Sequence, residues 1–381
     1  MLRKRTDNQS AVGQARTEQK KAVNGSASKC ESKSTCWSAL TLLGKILLLI
    51  IIGPPFLNYA SLQREGQMLL PKEGNSIDIG LGQNMLITCK GKGNPVVVLD
   101  APTGMSSDIW FHVQETLSAT TKVCTYDRVG LGFSKRVLQN ETIGMEKLWQ
   151  MSTTGRMVDD LHRLVKAADI ATPFILVGSE IGSLNGRFYS HVHHTQVSDL
   201  VLIDPIPEDV FEEEQWQQYW YTQLVPSLQM MHFSSATGLS RFLIILGLMK
   251  PIIHGEKVSE DLLQRQKYLL SNPAHQSSVV DEHFFLNESA SQVREISRFK
   301  PLSSKTSVTV ITGDSYDEQL PAHLNQVIAR HQAQFLEQSY PQAERVYIHG
   351  ADRRMIYKKA SALCEHLWKL VSQRQSRQQS Q

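Results

Sequence analysis

The residues able to do chemistry gather in three short segments. The first is Gly178-Ser179-Glu180-Ile181-Gly182, between the apolar run 173–178 and a helical pattern over 183–193. Glycines two places before and two places after Glu180 permit a tight strand-to-helix junction around it. A carboxylate there can attack an electrophilic carbon. Ser179 and Ser183 are the nearby hydroxyls, but a frame moved to Ser179 loses both glycines, and Ser183 falls on the helix. The second segment, 350–356, reads GADRRMI and carries Arg353 and Arg354. A guanidinium stays protonated at any working pH and cannot act as a general base. His349, just before them, falls inside a strand-like run. The third is Asp314, which ends SVTVITGD and reads either as a turn residue or as an acid.

These segments need a scaffold. MLITC (85–89), PVVVLD (95–100), KVCTY (122–126), PFILVG (173–178), DLVLID (199–204), SVTVITGD (307–314) and ERVYIHG (344–350) are short apolar runs. Helical patterns lie between most of them, among them 145–168 and 183–193. Near-continuous apolar strands alternating with helices predict a mostly parallel sheet covered on both faces, an α/β class. About a hundred residues between Asp204 and Ser307 show helical patterns and no strand. A structureless loop of that length is improbable, so an inserted helical cap is expected. It carries the cluster Trp216, Tyr219, Trp220 and Tyr221 and an apolar helix over 242–249. These stripes read as cap packing, or else as an apolar ligand pocket or a membrane contact, with Trp216 and Trp220 the binding candidates.

The chain has 381 residues, 41% hydrophobic and 20% charged, with a net charge of +3. That charge is too small to argue for nucleic acid. Five cysteines without CxxC or CxH spacing give a metal site no support, and no cofactor is implied. Cys89 and Cys124 lie in apolar runs and read as buried thiols rather than a disulfide.

Residues 1–36 are polar and aperiodic and read as a disordered basic tail. Residues 37–57, WSALTLLGKILLLIIIGPPFL, have the length of a membrane-spanning helix. Lys45 costs about 2.5–3.5 kcal/mol near mid-membrane, and each Leu, Ile or Phe returns about 0.3–0.6 kcal/mol. About a dozen such residues make insertion break even or win, and Lys45 can snorkel. Pro54-Pro55 is expected to end the helix. A cleaved signal peptide would need an unusually long basic region and a better small-residue cleavage site than Asn58-Tyr59-Ala60. Asp7, Glu18 and Glu31 weigh against a mitochondrial presequence. The basic flank keeps the N-terminus cytoplasmic, so the folded part is expected to be lumenal or extracellular, where the sequons at Asn140 and Asn287 would fit. The expected domains are the tail 1–36, the anchor 37–57, a linker 58–79, a core 80–205 and 306–372, a cap 206–305 and a disordered tail 373–381.

Four ordered segments resemble the α/β-hydrolase superfamily of esterases, lipases, haloperoxidases and dehalogenases, over roughly residues 80–372. YDRVGLGFS (126–134) looks like the family's Y-D-R-x-G-x-G-x-S strand end, and VVVLDAPTGMSSDIW like its first loop. ILVGSEIGSLNGRFYS looks like the nucleophile elbow, and VLIDP like the next strand. The resemblance implies an α/β-hydrolase fold, and it implies three departures. Glu180 replaces the elbow nucleophile. Arg353 or Arg354 replaces the base. Pro102, which has no N–H, replaces one oxyanion donor, while the N–H of Ile181 remains. Only Asp314 matches a surviving acid. The resemblance thus sets opposite charges where a hydrogen bond would be. The expectation is an ion pair of Glu180, at a helix N-terminus that favours an anion, with Arg353 or Arg354, and Asp314 as a second partner. Related epoxide hydrolases use Asp at the elbow, but Glu is one methylene longer and misplaces the attacking oxygen by about an ångström, which costs on the order of a hundredfold. Together these departures point to a membrane-anchored binding or scaffold domain without standard catalysis. The alternative is a hydrolase of ester- or epoxide-like apolar substrates using Glu180 or another nucleophile. A small apolar ligand or a protein partner would fit either reading.

Overall fold

The computed structural model describes residues 12–80, 82–136, 152–253, 258–314, 317 and 320–379, with side chains from residue 37 to 377. Eight strands form one sheet: β1 (Gly74–Asp78), β2 (Asn84–Lys90), β3 (Val97–Asp100), β4 (Val123–Tyr126), β5 (Phe174–Glu180), β6 (Val197–Pro205), β7 (Ser307–Thr312) and β8 (Glu344–Tyr347). Their order is β1-β2-β4-β3-β5-β6-β7-β8, antiparallel at β1/β2 and β2/β4 and parallel elsewhere. Alternate residues of one strand feed opposite faces. Val97, Leu99, Ile175, Val177, Val201 and Ile203 enter one core. Val96, Val98, Phe174, Leu176, Leu200 and Leu202 enter the other. Two buried faces require nearly every strand residue to be apolar, which is the expected parallel α/β class.

The helices are α1 (Val12–Met68), α2 (Phe111–Leu117), α3 (Thr154–Ala167), α4 (Ile181–Val192), α5 (Glu214–Tyr219), α6 (Val225–Ala236), α7 (Leu239–Ile245), α8 (Glu260–Ser271), α9 (Pro273–Phe284), α10 (Leu286–Phe299), α11 (Ala322–Gln338), α12 (Met355–Lys358) and α13 (Ala360–Gln379). Between β6 and β7 the described residues hold helices and turns and no strand, which is the expected cap. Phe211, Trp216, Trp220 and Val225 of the cap pack on Ile181 and Leu184 of α4.

The chain divides into two compact units, 1–57 and 58–381. Among the described residues one stretch of α1, Trp37–Met68, is long and apolar enough to cross a membrane. Several expectations about the ends need correction. The tail thought disordered over 1–36 is helical from Val12, and residues 1–11 lie outside the described ones. Pro54 and Pro55 do not end α1, which continues to Met68. In the second unit its last turns gain partners that offset the lost backbone bonds. Leu62 packs with Tyr268 and Leu269, and Glu65 pairs with Arg241 at 2.7 Å. Residues 58–79 are therefore no linker, because they supply a docked helix end and the edge strand β1. Nor is 373–381 a free tail: α13 runs to Gln379, and Arg374 pairs with buried Asp199 at 2.8 Å.

Cys89 and Cys124 form a disulfide, not two thiols. They face each other across β2 and β4, with Cα atoms 4.0 Å apart, a pairing that neither apolar run reveals alone. The bridge closes a 35-residue separation. Replacing both residues, Cys89→Ala with Cys124→Ala, is expected to lower stability by about 2–4 kcal/mol. The midpoint of denaturant unfolding reads this, and an unchanged midpoint would show that the bridge does not stabilise the sheet.

Candidate functional site

Strand β5 ends at Glu180, whose φ of 49° and ψ of −115° make the sharp corner into α4. The flanking glycines are required by space. A Cβ on Gly178 would sit 2.0 Å from the Gly182 carbonyl oxygen, and one on Gly182 would sit 2.7 Å from that of Asp100. The corner thus packs against the first loop and presents the Glu180 carboxylate toward it. Ser179 is fully buried. The Ser183 hydroxyl donates back to the Glu180 carbonyl, so neither serine is presented as a nucleophile. Ile181 opens α4, where first-turn N–H groups lack helical partners.

The expected ion pair at Glu180 is not formed. Among the described residues Glu180 makes no salt bridge; its Oε2 accepts the Thr103 N–H at 3.2 Å. Arg353 turns instead to Asp204, with Nε 3.0 Å from Oδ2. Asp204 closes β6 with a φ of 43° and accepts Gln332 Nε2 at 2.7 Å on its other oxygen. A neighbouring strand end thus supplies the nearer carboxylate. Burial pulls the Arg353 pKa down, but the Asp204 and Glu180 carboxylates outweigh it and hold the cation more firmly. Glu180 therefore lies in the field of Arg353 without bonding to it. Arg354 pairs with Asp352 at 3.0 Å. Asp314 is exposed and accepts the Tyr347 hydroxyl at 2.5 Å, away from the corner. His349 is also exposed, edge-on to Tyr347.

Pro102 lacks an N–H, as expected, yet the loop keeps donors one and two residues later. Thr103 donates to Glu180, and Gly104 donates to Glu282 Oε2 at 2.7 Å. Both are spent on carboxylates of the chain itself. Glu282, from cap helix α9, leads to a feature invisible in sequence. Arg128, in the YDR turn, is buried between Asp100 and Glu282, each at 2.7 Å. It also donates to the carbonyls of Ala101 and Pro102, at 2.7 and 2.8 Å. Burial acts against its charge, but the two carboxylates prevail and raise its pKa. Asn185 of α4 donates to the second oxygen of Asp100 at 2.9 Å. The YDR segment, legible only as a set of turns, therefore supplies the cation that ties loop, elbow helix and cap together.

His283, next to Glu282, is the second residue that sequence reasoning missed. It packs over Gly104, where an added Cβ would meet its Cε1 at 3.0 Å. Its Nδ1 lies 2.7 Å from the Val279 carbonyl, which leaves Nε2 as the acceptor of a neutral ring. Burial lowers its pKa; the Val279 carbonyl and the Glu180 and Glu282 carboxylates pull the other way without reversing it. Only its place one residue after an unassigned acid in a helix could have drawn notice. Trp216 and Trp220 are 1% and 5% exposed and belong to the cap core, so they do not line an open site. Trp220 reaches it only through His283, stacking on the ring at 5.8 Å and donating Nε1 to its carbonyl.

A family model described as alpha/beta hydrolase fold matches residues 94–231. A protein of Hormonema carpetanum named as a probable transporter is 27% identical over 133 residues, 34% of this chain and 18% of that protein. The chain spans less than half the length of the curated relatives it matches. Among solved structures, the Cif epoxide hydrolase from Acinetobacter nosocomialis superposes with a TM-score of 0.60 at 14% identity, covering 83% of this chain and 96% of that one. Cfl2 from Burkholderia cenocepacia gives 0.55 at 17%, covering 78% and 94%. At such identities the likeness is one of fold.

Two predictions follow from the charges. Arg128→Ala strands two buried carboxylates and is expected to cost about 3–5 kcal/mol. Arg298→Ala, which removes an exposed pair with Glu295, should cost less than about 1 kcal/mol. Equal melting temperatures for the two variants would refute the clamp. His275 of α9 accepts the Gly132 N–H on Nδ1 at 3.1 Å, and burial lowers its pKa to about 4. A histidine held neutral in the fold stabilises fully above pH 6.5 and less as pH falls toward 4, a loss on the order of 3 kcal/mol. In His275→Gln the slope of stability against pH in that window should flatten; an unchanged slope would show that His275 does not carry it.

Proposed function

We propose that this chain, whose fold is that of the α/β hydrolases, is a membrane-tethered binding or scaffold domain that lacks Ser-His-Asp catalysis. One observation carries this reading: the first loop's N–H groups at Thr103 and Gly104 are already occupied by Glu180 and Glu282. An oxyanion hole works by keeping donors free for charge that appears on a substrate oxygen only in the transition state. Here the acceptors are carboxyl oxygens of the protein itself. Where a proton acceptor would stand, Arg353 is paired to Asp204 and cannot take a proton.

The apolar part of α1 serves as a single-pass anchor, with the N-terminus cytoplasmic and the folded unit lumenal or extracellular. The basic flank supports this orientation, and so does the Cys89–Cys124 bridge, since disulfides persist in oxidising compartments. Asn287, at the start of α10, is the sequon within the described residues; Asn140 lies outside them. A cavity of about 170 Å³ between the first loop and the cap, lined by Met105, Ile109, Leu228, Met231, Leu269 and Val279, supports a small apolar ligand.

His283 favours a second reading, in which Glu180 attacks an ester or epoxide and the neutral imidazole activates water. Structural neighbours carrying epoxide hydrolase and esterase in their names fit that chemistry. The test is turnover by the full-length protein in membranes on panels of esters and epoxides. No turnover above background is expected. Turnover that disappears in both Glu180→Gln and His283→Gln would replace the binding reading with the hydrolytic one.

A further inference from the structure

Helices α6 and α7 are built inside out. Ser234 and Ser235 of α6 and Ser240 of α7 are buried, and the Ser240 hydroxyl donates to that of Ser234 at 2.9 Å. Several large apolar side chains face outward, while Val225 is buried and Leu228 and Met231 line the cavity. Met230 and Phe233 are 65% and 61% exposed, Phe242 and Ile245 are 56% and 75%, and Leu248 just beyond α7 is 72%. Steps of three residues set Met230 and Phe233 on one face of α6, and Phe242 and Ile245 on one face of α7. A water-facing helix would show the opposite pattern. A contiguous apolar face of this kind marks a contact with protein or lipid.

The chain itself says which. Asn58 is the first residue after the apolar stretch 37–57, and it is bound to this helix pair. Its Nδ2 donates to the carbonyls of Ser235 and Ser271, at 2.9 and 3.0 Å, and its Oδ1 accepts Arg241 Nε at 2.8 Å. Arg241, on α7, also forms a two-bond pair with Glu65, at 2.8 and 2.7 Å. Asn58, held in this way, follows Leu57, the last residue of the apolar stretch, directly in sequence. Lys250, exposed at the end of the apolar run, supplies a cation for lipid phosphates.

We propose that the outward face of α6, α7 and the turn behind them docks into the head-group and upper acyl region of the leaflet from which the anchor emerges. The inference rests on the reading of α1 as an anchor. It makes the cap a membrane-bound surface, with the apolar cavity behind it: Ile252, half exposed beyond this face, also lines that cavity beside Leu228 and Met231. Seating of this kind is shallow, about 5–10 Å.

The test uses the full chain in phosphatidylcholine vesicles containing phosphatidylserine, in a C30S/C36S background whose remaining cysteines are disulfide-bonded or buried. An environment-sensitive fluorophore is placed at Ile245→Cys, Leu248→Cys, Leu47→Cys or the exposed control Lys305→Cys. Doxyl lipids labelled near the head group should reduce emission at 245 and 248 and leave 305 unchanged. Lipids labelled deep in the acyl chain should reduce it most at 47. Quenching at 47 with none at 245 or 248 overturns the docking and leaves the anchor standing. Absence of quenching at 47, 245 and 248 overturns both. Disulfide crosslinking between two unlabelled copies of the Ile245→Cys variant, in place of quenching, assigns the face to a dimer and overturns the docking.

Discussion

One buried guanidinium organises this molecule. Arg128 meets Asp100, Glu282 and two loop carbonyls, drawn from the end of β3, the first loop and cap helix α9. Three segments far apart in sequence, residues 100–102, the YDR turn and α9, are thereby fixed together. Burying such a group costs several kcal/mol unless its charge is paired and its N–H groups are satisfied; here two carboxylates face it and each of its nitrogens donates to an acceptor. The consequence is steric as well as electrical. With the first loop pinned from below by Arg128 and from the cap by Glu282, its Thr103 N–H has one orientation, toward the corner. The carboxylate of Glu180 completes the arrangement.

The corner holds Glu180 in a costly geometry. A non-glycine residue at a φ of 49° stores on the order of 1–3 kcal/mol of strain. In a serine hydrolase that strain presents a nucleophile. Here the presented carboxylate accepts a loop N–H, so the strain is offset by a charge-assisted bond that joins elbow to loop. The nearby acid–cation pair is similarly self-contained, since Asp204 and Arg353 satisfy each other beside Glu180 without drawing on it. Glu180, Glu282, Asp204 and Arg353 thus each have a partner within the protein.

The parts of this arrangement differ in how far sequence could show them. The strands were legible because a sheet buried on both faces demands uninterrupted apolar runs, and β3, β5 and β6 have them. The elbow was legible because only glycine tolerates the approach to the Asp100 and Gly182 carbonyls. Strand β1 was not, because GNSID is a mostly exposed edge strand held by pairing with β2 rather than by apolar content. The bridge between Cys89 and Cys124, the partner of Arg353 and the meeting of Arg128 with Glu282 depend on which strands and helices become neighbours. That is a property of topology, and no local pattern carries it. The expected pairing of Glu180 with Arg353 or Arg354 failed for the same reason. The charges were identified correctly, but Asp204 at the end of the neighbouring strand was nearer to Arg353.

The cap obeys a different constraint from the core beneath it. In the core, burial and apolarity coincide. On α6 and α7 they are opposed, with serines inward and phenylalanine and isoleucine outward. Such an inversion is costly in water, because each exposed side chain forgoes roughly 1.5–3 kcal/mol of burial. It becomes neutral or favourable only where the surroundings are themselves apolar. The same helices hold Asn58 and Glu65, at the start of the folded unit, through Arg241. Tethering and inversion on one pair of helices are explained together by a lipid surface. A purely structural account would have to explain them separately, as an unrelated helix dock and an unrelieved apolar patch.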